Sequence, residues 1–147
     1  MQNLKFLWDQ KLNKKNPSKV VYYVVELIKP SLEETLRKCI DCTDVRKLTF
    51  KFDVPHQMVT ETLDKTKEYI LSHKSDYPQI ANSLCSVQDG VDNPEIPELS
   101  EMVVFTIREA IRRCLFQAGF DSNTDRIQIF AAWSIEKAFV YEITIVI

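Results

Sequence analysis

A chain of 147 residues with 45 % apolar side chains, 27 % charged side chains and a net charge of −2 is proportioned for one domain that buries its own core without disulfides or metal. The slightly acidic balance disfavours a dedicated nucleic-acid binder, which carries a basic excess. Only Gly90 and Gly119 are present, so no Walker loop, dinucleotide fingerprint or nucleophile elbow is encoded; each needs clustered glycines for tight turns and close backbone approach.

The elements follow in chain order. Leu4, Leu7, Trp8 and Leu12 recur at helical spacing, which predicts a short amphipathic helix over residues 2–13. Asn16-Pro17-Ser18 breaks it. Val20 to Ile28 holds six consecutive β-branched or aromatic residues and reads as a buried strand; a helix opened by Asn16 and Pro17 is the competing reading. Ser31 and Glu34 form a capping box that opens a helix to about Asp41. Leu48, Phe50, Phe52 and Val54 alternate with polar residues, the clearest strand signal in the chain, and Pro55 stops it.

Residues 56–74 form an amphipathic helix with Val59, Leu63, Thr66, Ile70 and His73 in one stripe. Residues 78–88 make a short helix, and Asp89 to Glu98 an acidic loop stiffened by Pro94 and Pro97. The helix over 98–118 carries Leu99, Val103, Ile107, Ala110, Cys114 and Ala118 along one face, with Gly119 as its stop. Arg126–Trp133 and Ala138–Ile147 read as two antiparallel strands, the last built into the sheet. The expected fold is α+β: one globular domain over 1–147, with a mixed sheet of about four strands, including the C-terminal hairpin, packed against several helices. Leu48, Phe50, Phe52, Ile127, Ile129, Ile143 and Ile145 are expected to share one sheet core.

No apolar leader precedes the first charges, and the longest apolar run is far too short to cross a bilayer. The expectation is a cytoplasmic chain with reduced cysteines, no membrane partner and no cofactor. Cys39-Ile-Asp-Cys42 falls at a helix C-terminus, where the dipole disfavours a thiolate, and Cys85 and Cys114 lack paired spacing. No structural metal is therefore expected. His56 and His73 have no ligand spacing and read as surface or capping residues.

Charge is segregated. Residues 1–19 hold Lys5, Lys11, Lys14, Lys15 and Lys19 against Asp9 alone, while residues 89–101 hold Asp89, Asp92, Glu95, Glu98 and Glu101 with no base. On the helix over 98–118, Met102, Phe105 and Phe116 lie off the core stripe beside Glu109 and Arg113. Either this helix is packed on both sides, or these five residues form a patch for a protein partner or a second copy of the chain. At least Phe105 or Phe116 is expected in such a contact. The leading functional expectation is a small intracellular protein-interaction module, of the inhibitor, immunity, viral accessory or complex-subunit kind. One alternative is a metal-dependent hydrolase or nuclease using the strand-end carboxylates Asp53, Asp121, Asp125 and Glu136. Another is nucleic-acid binding through the lysine-rich first segment, weakened by the lack of arginine and of exposed aromatics beside those lysines.

Overall fold

The computed structural model describes residues 3–15, 17–42, 46–85, 97–121, 125–133 and 139–147. Among these residues the elements are α1 (Leu4–Lys15), α2 (Ser18–Asp41), β1 (Lys47–Val54), α3 (His56–Ser72), α4 (Pro78–Cys85), α5 (Pro97–Gln117), β2 (Arg126–Trp133) and β3 (Phe139–Val146). The class is α+β.

Val20–Ile28 is not a strand. It is the first half of α2, which runs unbroken to Asp41. The β-branched residues suit a strand locally, but burial decides. Val20, Val21, Val24, Val25, Ile28, Leu32 and Leu36 recur with the helical period and form one buried stripe, leaving Tyr22, Tyr23 and Glu26 outside. The carbonyl of Pro17 accepts the N–H groups of Val20 and Val21, both at 3.0 Å, and so starts the helix. Ser31 is therefore mid-helix rather than a cap, and its carbonyl accepts the Thr35 hydroxyl at 2.9 Å. Pro30, which has no N–H for the carbonyl four residues back, sits on the exposed side of α2.

With that segment helical, the sheet has three strands among the described residues, not about four, and it is antiparallel rather than mixed. The order is β1-β3-β2. Leu48 lies opposite Ile145, which lies opposite Ile127; the next inward row is Phe50, Ile143 and Ile129, and the next Phe52, Tyr141 and Ala131. All seven residues expected in the sheet core are on this helix-facing side. Leu48, Phe52, Ile129, Ile143 and Ile145 are buried, and Phe50 and Ile127 are partly buried against the same cluster. The other face of the sheet carries exposed Lys47, Thr49, Lys51, Asp53, Arg126, Gln128, Phe130 and Glu142.

Helices α2 and α5 cover the inward face, α2 over β1 and α5 over β2. The Tyr141 hydroxyl, wholly buried, donates to the Val104 carbonyl at 2.7 Å and ties the central strand to α5. A second cluster of Ile70, Tyr77, Ala81, Leu99 and Met102 joins α3, α4 and the start of α5. Tyr77 also donates to the Lys14 carbonyl at 2.8 Å, which moors the end of α1, and burial pushes its phenol up to about 12.

Candidate protein-interaction surface

The end of α5 is shaped by one glycine. Gly119 has φ +102°, a conformation that side chains with a Cβ seldom adopt. Its N–H donates to the Phe116 carbonyl at 3.0 Å, and the Phe120 N–H donates to the Leu115 carbonyl at 2.9 Å. These two bonds are the Schellman closure. The turn brings Phe120 back against the core and leads the chain toward β2. Phe116, one turn earlier and on the outer side, remains 64 % exposed.

Between α5 and the start of β2 lies a hollow of about 210 Å³ lined by Glu109, Arg112, Arg113, Phe116, Phe120 and Ile127. Glu109 and Arg113 are half-buried and paired, with Nε to Oε1 at 3.5 Å. The Arg113 guanidinium also lies 4.8 Å from the centre of the Tyr22 ring on α2, within cation–π range. Arginine thus bridges the two helices, and its charge is held beside two exposed aromatic rings, Tyr22 and Phe116.

Of the five residues expected at an interface, the structure brings Glu109, Arg113 and Phe116 together. Met102 is only 4 % exposed and belongs to the second cluster; α5 is packed on that side by α3 and α4. Phe105 is half-buried and does not line the hollow. Sequence reasoning missed Arg112, Phe120, Ile127 and Tyr22. The signal for Phe120 was present in Gly119, because the residue after a Schellman glycine packs back on the helix it terminates.

The N-terminal helix is the second apolar surface. Leu4, Phe6, Leu7 and Trp8 are all exposed, Trp8 at 64 %, so α1 leaves Leu4, Leu7 and Trp8 of its expected stripe unburied. Lys5, Lys11 and Lys14 are exposed on the same helix.

The strand-end carboxylates do not gather. Asp53 lies one row from the end of the sheet formed by Val54, Phe139 and Trp133, whereas Asp125 precedes the opposite row of Lys47, Val146 and Arg126. At 3.3–3.4 Å per residue those rows are roughly 20 Å apart. The Asp125 carboxylate is taken up locally, accepting the Asp121 N–H at 3.2 Å, while the Asp125 N–H donates to the Asp121 carbonyl at 2.7 Å. Glu136 and most of the acidic segment, residues 89–96, lie outside the described residues. Among the described residues no group of three His, Cys, Asp or Glu side chains could hold a metal ion.

The cysteines are free thiols. Cys42 and Cys85 are exposed and Cys39 is half-buried at the end of α2. Cys114 is buried against α2, its Sγ 3.7 Å from the Val25 carbonyl, and burial pushes its thiol up to about 11. His56 opens α3 and is exposed. His73 closes it, Nδ1 donating to the Tyr69 carbonyl at 2.9 Å while the ring stacks on Tyr69 at 4.1 Å. No helix among the described residues is long and apolar enough to cross a membrane.

Comparison with protein-family models, with curated proteins and with solved structures finds no match to this chain.

Proposed function

We propose that this chain is a protein-interaction module that works by surface complementarity through the face shared by α5 and β2. The observation that carries this reading is the exposed Phe116 at the rim of a hollow whose other walls are Phe120, Ile127 and a half-buried Glu109–Arg113 pair. An aromatic anchor beside arginine at a concave, partly apolar surface is the composition of interface centres. The separation of Asp53 from Asp121 and Asp125 counts against the hydrolase alternative.

The test is a photoreactive amino acid placed at position 116 in cells that express the chain, with position 34 on the polar side of α2 as control. Discrete protein adducts at 116 and none at 34 are the expected result. No adduct at 116, or the same pattern at both positions, overturns the reading.

A second reading, contact with single-stranded nucleic acid through α1, gains from one observation. Phe6 and Trp8 are exposed beside Lys5 and Lys11, supplying the aromatics that such a surface needs. Affinity that falls steeply with salt and is lost in Trp8→Ala supports it; no binding to oligonucleotides at low salt removes it.

A further inference from the structure

Helix α1 leaves its side chains in water along most of its described length. Every side chain from Leu4 to Lys11 is exposed, and the helix is tied down at its far end, where Tyr77 donates to the Lys14 carbonyl at 2.8 Å. The exposed side chains are sorted along the axis. Leu4, Phe6, Leu7 and Trp8 come first, and exposed Lys11 and Lys14 follow. Around the axis there is no such order. Phe6 and Trp8 are about 200° apart and point to nearly opposite sides. Lys11 stands on the side of Leu4, Leu7 and Trp8 and ends their stripe.

This arrangement selects what can cover the tip. A groove in a partner protein grips one side of a helix, at i, i+3, i+4 and i+7. Here i+7 is Lys11, and Phe6 is left outside. A nucleic-acid strand that stacks its bases along one side meets Phe6 or Trp8 but not both. A helix lying flat on a bilayer needs apolar and charged sides segregated around its axis, which α1 lacks. A lipid surface entered end-on surrounds the tip and takes all four apolar side chains.

The dimensions fit. Leu4 to Trp8 rise about 6 Å, enough to enter the boundary of the hydrocarbon and far short of crossing it. Lys11 and Lys14 lie about 5 and 9 Å farther along the axis, against a headgroup layer roughly 5–8 Å thick. The Lys5 stem can carry its ammonium back to that level. Trp8 falls at the boundary, where indole rings concentrate. Asp9 is the one acid on α1 against Lys5, Lys11, Lys14 and Lys15, so the helix complements anionic headgroups. The backbone of the tip is also prepared. The Asn3 side chain accepts the N–H groups of Lys5 and Phe6 at 3.1 and 3.3 Å, and the Asn3 carbonyl accepts that of Leu7 at 3.3 Å. Donors left open at that depth are costly away from water.

We propose that α1 is a membrane-surface anchor that inserts residues 4–8 end-on into a bilayer carrying anionic lipid, with Lys11 and Lys14 on the headgroups. The anchor is separate from the α5–β2 face and does not depend on it. The nucleic-acid reading draws on the same Phe6 and Trp8, so the test includes an oligonucleotide.

The experiment floats the full chain with vesicles of phosphatidylcholine alone or mixed equally with phosphatidylserine, with circular dichroism as the fold control. Wild type is expected to float with the mixed vesicles and to bind the neutral ones about tenfold or more weakly, because the lysines lose their partners. The double variant Phe6→Ser, Trp8→Ser, changed only at exposed positions, is expected to keep the fold and to weaken binding by about tenfold or more. Acyl-brominated lipid should quench the fluorescence of wild type. It should spare Trp8→Phe, whose one remaining tryptophan is Trp133. Wild type that does not float with the mixed vesicles overturns the anchor. So does binding that ignores the double variant, which means adsorption through lysines only. Bound wild type that is not quenched, or is quenched no more than Trp8→Phe, overturns it as well. A single-stranded oligonucleotide that binds through Trp8 while vesicles do not assigns α1 to nucleic acid instead.

Discussion

Replacing Tyr141 by Phe removes one oxygen from the centre of the molecule. The ring stays, wholly buried between Phe52 and Ala131 in the sheet, and only the 2.7 Å bond to the Val104 carbonyl is lost. That carbonyl lies inside α5, where it retains its helical N–H partner, so no acceptor is orphaned. The net loss is one neutral hydrogen bond plus a gap smaller than a methyl group, about 1–2 kcal/mol, against about 3–5 kcal/mol had the ring been removed. Urea melts at pH 7 should show that difference with an unchanged slope, and heat melts a fall of about 3–6 °C.

Raising the pH supplies an internal control. Burial holds the Tyr141 phenol well above its ordinary value of 10.0, with Arg108 opposing slightly. Above that ordinary value the unfolded chain loses this proton and the folded chain keeps it. The tyrosine's contribution is therefore complete below pH 10 and declines above it by about 1.4 kcal/mol per pH unit. Tyr141→Phe has no such decline from this site, so the two stability curves should converge and cross near pH 11. A variant as stable as wild type at pH 7, or a difference that stays constant to pH 11.5, would refute the assigned bond and its burial.

Phe50→Ala should cost about 2 kcal/mol in denaturant melts, less than for a fully buried ring, because Phe50 keeps part of its surface in water; a cost above about 4 kcal/mol would mean the ring is sealed. A thiol reagent at pH 8 should modify Cys42 and Cys85 readily and Cys114 only after denaturation, since its thiol is pushed up to about 11 and faces α2. Rapid native labelling of all four thiols would contradict that packing. Gly119→Ala should destabilise by about 1–2 kcal/mol from backbone strain alone, because the added carbon meets nothing within 4 Å; a neutral result in the same melts would mean the turn relaxes.

The sheet was legible because its signal is local and redundant. Leu48, Phe50 and Phe52 alternate, Ile143 and Ile145 alternate, and a period of two has only one way to face a core. The segment from Val20 to Ile28 misled for a physical reason. A helix buried along a wide stripe needs the same β-branched residues that a strand prefers, and only Leu32 and Leu36 further on show that the period is 3.6. On α5 the stripe alone did not separate Met102 from Phe116. Both lie off it, but α3 and α4 close over that side of the first turns of the helix, while Phe116 on the outer side of its last turn stays 64 % exposed. That difference is tertiary. The distance between Asp53 and Asp125 is tertiary too, since strand ends carry no mark of which end of the sheet they occupy until the order β1-β3-β2 is known.

That order also governs how the chain reaches its native state. The central strand comes last: Lys47 on β1 must wait for Val146, and β2 likewise has no neighbour until β3 is in place. The β1–β3 contacts join segments far apart in sequence, unlike those of β2 with β3, and are slow to form because the loop entropy is lost before the pairing repays it. Helices α2, α3 and α5 can condense early, around Val24, Ile28, Ile107 and Ile111. During that interval Leu48, Phe50 and Phe52 form an apolar strand with both sides open, the species most prone to pair with a neighbouring chain. The lysines on β1 then act when the sheet does not yet exist, guarding a nascent strand as much as a finished edge.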